Sequence, residues 1–289
     1  MMPPCAGAQR EKIMPSFEYV TVNVFTGTRF AGNPLAVFPD ARGLTDGQMQ
    51  ALAAEFNLSE TTFVLPAERG GTVRTRIFTP SFEMPFAGHP TLGTAHVVAD
   101  GRDHVVLEMR AGLVPVTRHD HAWTLRAARS PTTRPFAGTR ADAAAMLALP
   151  VDAIAGDPLW VNTGTEQLVV PLRHADDVCA ARPDPRLLTR HAMSPDRNEA
   201  MAYVAAGDQV RFFFTAHGAI VEDPATGSAC ANLGGYLLAT GAALPIERTL
   251  FQGEAIGRPS RLQLRVDAID RGIYVTGEVI ELGRGTFEL

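Results

Sequence analysis

The chain has 289 residues, 46% hydrophobic and 20% charged, a balance that suits a soluble globular protein of one large or two ordinary domains. Its formal net charge is −5 and Lys12 is its single lysine, so no basic run points to nucleic acid as a partner. No stretch of about 18 apolar residues predicts a membrane span. Three scattered cysteines, Cys5, Cys179 and Cys230, form neither a disulfide framework nor a zinc motif, and a reduced, cytoplasmic home is expected.

In chain order, residues 1–15 lack the apolar run of a signal peptide and are expected as a disordered leader. Residues 17–25, rich in β-branched and aromatic side chains, read as a strand, and "LAVFP" as a second, short one. In "LTDGQMQALAAEFN", Thr45 with Gln48 three residues on is a capping-box pattern, and Asn57 suits the helix end. "SETTFVLP" (59–66) and "TVRTRIFTP" (72–80) read as strands. "PFAGHPTLGTAHVVADG" opens a helix that Gly101 can close, and residues 104–128 read as a three-strand meander. Beyond it come a helix at 140–149, strands in "PLWVNTG" and "TEQLVVPL", and a short helix in "DPRLLTRHAM". A hairpin turns at Gly207-Asp208, a second helix follows from "PATGS" to Gly241, and an alternating strand-rich tail ends the chain.

The two halves look related. The run from Pro85 lies on the run from Pro224 without gaps, setting Gly88 on Gly227 and His89 on Ser228. "RIFT" (76–79) parallels "RFFF" (211–214). "SETTFVLP" also parallels "TEQLVVPL" (165–172), which sets Glu60 opposite Glu166 as a competitor for its role. If each half repeats one unit, the two helix N-termini face each other across a cleft. Pro90 suits a first helical position, with His89 at or beside the N-cap, and Thr226 or Ser228 can cap the second helix. Helix N-termini offer free N–H groups and partial positive charge, so two of them suit a small carboxylate and the enolate-like charge that develops when a proton leaves carbon. Glu60, His89, Asp223 and Ser228 fall beside these turns. Each has a plain structural alternative: an exposed loop acid, a cap, a turn brace, a cap again. A partly buried carboxylate there suits a proton carrier. Cys230 reads as a core residue. His119 and His121 would share one strand face, read as a surface pair with no third metal ligand. There is no G-x-S-x-G elbow, Walker loop or dinucleotide fingerprint.

On "FAGNPLAVFPDARGL", "MQALAAEFNLSETTFV", "RIFTPSFEMPFAGHPTLGTAHVV" and "RFFFTAHGAIVEDPATGSACANLGGYL", the sequence resembles the PhzF-like isomerases of phenazine biosynthesis, relatives of diaminopimelate epimerase and proline racemase. The resemblance runs over most of the chain from about residue 17. It implies an α+β fold of the diaminopimelate epimerase-like type: two similar domains, each a curved, barrel-like mixed sheet around a central helix. The expected boundaries are 16–130 and 131–275, with 276–289 returning to complete the first domain. The resemblance further implies Glu60 as proton carrier, His89 and Asp223 as its catalytic partners, and Ser59, Gly88, Gly227 and Ser228 as substrate-binding residues. No cofactor and no metal are expected, and homodimers are common in the family. The expected activity is a proton shift between carbons of a small carboxylic acid, similar to trans-2,3-dihydro-3-hydroxyanthranilate isomerisation. Two alternatives remain open: epimerisation of an amino or hydroxy acid, and non-catalytic binding of a small acid. No cysteine takes the place of the relatives' paired thiols, which disfavours two-thiol racemisation.

Overall fold

The computed structural model describes residues 15–194, 199–216 and 218–289, so the expected leader lies, apart from Pro15, outside the described residues. The first half runs β1 (Ser16–Val24), β2 (Asn33–Phe38), α1 (Asp46–Phe56), β3 (Thr61–Leu65), β4 (Val73–Phe78), β5 (Glu83–Met84), α2 (Gly88–Val98), β6 (His104–Met109), β7 (Gly112–His119) and β8 (Ala122–Arg126). The second runs β9 (Thr132–Pro135), α3 (Arg140–Met146), β10 (Leu159–Asn162), β11 (Glu166–Pro171), α4 (Ala175–Ala180), α5 (Pro185–His191) and β12 (Met193–Ser194). It continues through β13 (Glu199–Ala206), β14 (Gln209–Ala216), β15 (Ala219–Asp223), α6 (Gly227–Ala239), β16 (Ile246–Gln252), β17 (Ser260–Val266) and β18 (Ile273–Glu288).

Local chemistry sets several of these limits. Thr45 caps α1 in a complete capping box with Gln48, and Asn57 ends the helix in the left-handed region at φ 50°. Asp184 caps α5 through the N–H groups of Arg186 and Leu187, with Pro185 opening the helix. The meander at β6–β8 and the hairpin β13–β14 form as the patterning predicts.

In the first domain the sheet closes on itself in the order β1, β2, β3, β4, β6, β7, β8, β18 and back to β1. Helix α2 threads this ring, with every residue from Gly88 to Ala95 buried. The second domain repeats the plan as β9, β10, β11, β13, β14, β16, β17, β18 around α6. The linker after β8 bridges its open side: Ala127 N–H donates to Ile273 O at 2.8 Å, and Arg129 N–H to Thr163 O at 3.3 Å. Strand β18 serves both sheets. Its start pairs with β17 and β8, and residues 279–288 pair with β1. A helix inside a curved sheet is buried all round, which explains why α2 and α6 show no polar stripe.

The repeat is real in topology but differs in register from the sequence match. Strand β3 pairs antiparallel with β4 and parallel with β2; in the second half the strand with those two relations is β13, not β11. Setting β4 on β14 as "RIFT" on "RFFF", the Thr61–Phe78 pair matches Ala202–Phe213, and Thr62–Ile77 matches Tyr203–Phe212. Glu60 therefore corresponds to Met201, and Glu166 is not its counterpart. The gapless match of the two helix turns survives, and extended back onto β5 and β15 it sets Met84 on Asp223.

Other expectations are corrected locally. Helix α2 starts at Gly88 with Ala87 as N-cap, so His89 is its second residue and Pro90 its third. Its C-cap is Ala99, with Asp100 and Gly101 both left-handed beyond it. His119 ends β7 while His121 lies past Asp120 in the following turn, so the two do not share a strand face.

Candidate functional site

A cavity of about 590 Å3 opens where α2 and α6 begin. The two helix ends abut. A Cβ added to Gly88 would stand 3.2 Å from the Gly227 Cα and carbonyl carbon and from Ser228 N, so any larger residue there pushes the helices apart. Neither N-cap residue caps its helix with its own side chain, and on α6 Gln252 Oε1 accepts from the Thr226 N–H at 3.2 Å, leaving the N–H groups from Gly227 onward. Pro90 has no N–H, which leaves Gly88 and His89 as the first-turn donors beyond the N-cap of α2. Thr226 is the N-cap of α6, yet its hydroxyl donates to the Asp223 carboxylate rather than accepting from the helix. Gly88, His89, Gly227 and Ser228 all line the cavity, so two uncapped positive helix ends converge on one space.

Among the described residues six ionisable side chains line that space: Glu60, His89 and Asp223, and with them Glu199, Glu222 and Arg258. Glu60 sits between the left-handed turn at Asn57 and the start of β3, with its Oε2 3.5 Å from His89 Nδ1; both side chains are largely buried. Asp223 ends β15. Its Oδ1 accepts from Asn33 Nδ2 at 3.0 Å, and the same amide donates to Ala225 O at 2.8 Å. Ser59 Oγ donates to Asn33 Oδ1 at 3.3 Å, so Ser59, Asn33 and Asp223 form a chain from one half to the other. Gln252 Nε2 donates to Asp223 O at 2.8 Å and to Thr226 Oγ1 at 3.0 Å. On the opposite wall Gln167 Nε2 donates to Ser228 Oγ at 3.0 Å, and Asn232 Nδ2 donates to Gln167 Oε1 at 2.7 Å.

Burial drives the titration of two of these groups. It pushes the Asp223 carboxyl up to about 6; Glu60 adds to the rise, while His89 and the hydrogen bonds from Thr226 and Asn33 oppose it. Burial pulls His89 down to about 4 against the Asp223 carboxylate and a hydrogen bond with the Pro34 carbonyl. His89 is thus neutral near pH 7, and its contact with Glu60 is not an ion pair. Its Nε2 is buried with no hydrogen-bond partner in the protein.

The structure brings together every predicted site residue: Ser59, Glu60, Gly88, His89, Asp223, Gly227 and Ser228 all line the cavity. Glu166 does not. It is held bidentate by Arg134 at 2.8 Å, while its neighbours Thr165 and Gln167 face the cavity. Cys230 is fully buried in the core, and burial raises its thiol well above the ordinary value. Sequence reasoning missed Asn33, Gln167 and Gln252, and read Thr226 only as a helix cap. The available signal was an amide at the edge of an apolar strand, as in "NPLAVF" and "EQLVVP". Among the described residues no group of three or more His, Cys, Asp or Glu is placed to hold a metal ion, and no helix is long and apolar enough to cross a membrane.

Comparison with known proteins follows the same lines. Residues 22–285 match the model of a family described as phenazine biosynthesis-like protein. The chain is 39% identical to an uncharacterized isomerase of Pasteurella multocida over 281 residues, covering 94% of each chain. It is 35% identical to trans-2,3-dihydro-3-hydroxyanthranilate isomerase of Pseudomonas fluorescens over 284 residues, covering 94% of this chain and 99% of the relative. In structure it is similar to a phenazine biosynthesis protein of the PhzF family from Bacillus anthracis, with a TM-score of 0.83 over 96% of this chain and all of the other, at 22% identity.

Proposed function

The chain belongs to the phenazine biosynthesis-like family and is an isomerase, and from that premise we propose that it moves a proton between carbons of a small carboxylic acid with Glu60 as the carrier. The observation that carries this reading is the placement of Glu60 against neutral His89 at the mouth of two abutting, uncapped helix ends. The acid's carboxylate takes the N–H groups of Gly88, His89, Gly227 and Ser228. Glu60 removes a proton from carbon, and the helix ends spread the enolate-like charge as it forms. Glu60 then returns the proton at a neighbouring carbon on the same face, so one base completes the shift without a second carrier. His89, through Nδ1 at 3.5 Å, holds Glu60 in place.

Asp223 favours a second reading. It comes from the other half and titrates at about 6, so it could oppose Glu60 and epimerise a stereocentre. Turnover of trans-2,3-dihydro-3-hydroxyanthranilate or a related cyclic acid in heavy water separates the two. A shift leaves hydrogen at a new carbon, the substrate's own where Glu60 returns it before exchange and deuterium where it exchanges first; epimerisation by opposed groups places solvent deuterium at the original carbon. In either case Glu60→Gln is expected to lose about 10²–10⁴-fold in kcat, and full turnover by that variant removes Glu60 from the mechanism.

A further inference from the structure

We infer that the acid isomerised here carries an apolar arm, aryl or alkyl, which lies along the β13–β14–β15 wall and is selected by Phe214 and Val221 over a floor of Met201 and Phe212. The inference rests on the reading above, which places the carboxylate at the helix ends. Strand register supplies the geometry. Tyr203, Phe212 and Asp223 form one rung across β13, β14 and β15, and Met201, Phe214 and Val221 form the next rung outward. Partners in a rung share a sheet face, and positions two apart point the same way about 7 Å further along. The Phe212 and Phe214 rings confirm the shared face, with centroids 6.1 Å apart and planes 26° from parallel. An apolar strip therefore begins beside Asp223 and runs outward along the cavity wall as far as Glu199, which follows Met201 on the same strand face and also lines the cavity.

Packing explains only the inner part of this strip. Met201 and Phe212 are buried in the main core, but Phe214 is half-buried and Val221 is 38% exposed. Across the mouth, Phe82 is 39% and Ile256 41% exposed, and both line the same cavity. Large apolar side chains gathered at a cavity mouth mark a contact surface. None of the four wall side chains is a useful hydrogen-bond partner, so a polar group lying against them would be stranded. The matching rungs of the first half differ: Thr62, Ile77 and Met84 form the inner one, and Thr79 meets Phe82 next to it. The aromatic pair belongs to one wall alone, which gives the substrate a direction.

Calorimetric titration of the intact protein with benzoate, 3-phenylpropanoate and 5-phenylpentanoate, each beside its neutral amide, tests this. Affinity should rise about three- to fourfold per methylene along the acids until the strip is covered. Phe214→Ser and Val221→Ser should each cost the longest acid more than benzoate and flatten the series, with the far-ultraviolet circular dichroism of each variant matching the parent. Acids that bind better than amides but gain nothing with length overturn the arm and leave the carboxylate site standing. Acids that bind no better than their amides overturn the carboxylate reading, and the arm falls with it.

Discussion

The two halves of the molecule reach the cavity with the same strand order and the same helix, and differ where the chemistry lies. Glu60 in the first half occupies the place of Met201 in the second; Asp223 in the second occupies the place of Met84 in the first. All four line one cavity. Each acid is thus matched by a methionine, an apolar and adaptable side chain of similar reach. His89 is matched by Ser228, one aromatic base against one hydroxyl. The parts kept in both halves are backbone: a glycine at the helix start and uncapped N–H groups. On the proposed reading, the duplicated frame supplies symmetric anion binding, and unlike side chains make the proton chemistry one-sided. A matched pair would work from both faces of a substrate, and this arrangement suits a carrier on one face.

The largest test of that asymmetry is to exchange the carrier for its own counterpart. Glu60→Met should abolish turnover to the degree expected for Glu60→Gln, about 10²–10⁴-fold, while the fold tolerates it because the equivalent site already holds Met201. Met201→Glu in the same chain should not restore activity, since His89 lies beside Glu60 and Ser228 stands at the matching place. Recovery of turnover in the double variant, followed by deuterium exchange, would show the halves to be interchangeable.

A smaller effect separates the two buried titrating groups. Asp223 has its folded value raised from 3.8 to about 6, so it keeps a proton that the unfolded chain has lost. Stability falls with rising pH across that window, and the cost is complete above it. His89 has its folded value lowered from 6.5 to about 4, so the unfolded chain holds the extra proton and stability rises with pH between those values. The slopes oppose each other between about pH 4 and 6. Asp223→Asn should leave the rising slope and His89→Gln the falling one, each amounting to roughly 1–3 kcal/mol across the window. Urea unfolding at pH 4, 5, 6 and 7 reads both, and parallel profiles for the two variants would break the argument.

What the sequence reveals of this molecule follows the range of each interaction. The Thr45–Gln48 box, the Gly207-Asp208 hairpin and the two glycine turns are contained in a few residues each, and patterning reaches them. The family motifs carry the architecture and bring the seven site residues to one cavity. The pairing of Glu60 with Glu166 fails because strand strings look alike, whereas parallel or antiparallel pairing separates β11 from β13 only in three dimensions. The intervening α4 and α5 hide that crossover from a linear match. Asn33 escapes for the same reason: it meets Asp223 across 190 residues. Gln252 reaches the Asp223 carbonyl from the end of β16, a strand with no site motif of its own. Strand β15 is five residues long with an irregular apolar pattern, and its place is fixed by β14.

The smallest predicted effect concerns the one feature the halves share most closely. Neither Gly88 nor Gly227 has a positive φ, so backbone conformation does not demand glycine at either place, and close approach is the remaining reason. The approach is unequal. A Cβ on Gly88 meets backbone atoms of Gly227 and Ser228 at 3.2 Å, and these cannot turn aside. A Cβ on Gly227 meets the Phe25 ring tip at 3.1 Å and the Gly88 Cα at a comfortable 3.5 Å. A ring edge can shift by a few tenths of an ångström where a helix end cannot. Gly88→Ala should therefore spread the jaws and weaken carboxylate binding about tenfold, equivalent to about 1.4 kcal/mol. Gly227→Ala should cost only a few-fold, and reduced freedom of the unfolded chain, about 0.4–1 kcal/mol, should offset much of its strain. Benzoate titration and thermal unfolding of both variants measure the difference. Equal losses would mean that the second jaw is as tightly confined as the first, and that Phe25, wedged over Gly277, is as immovable as backbone.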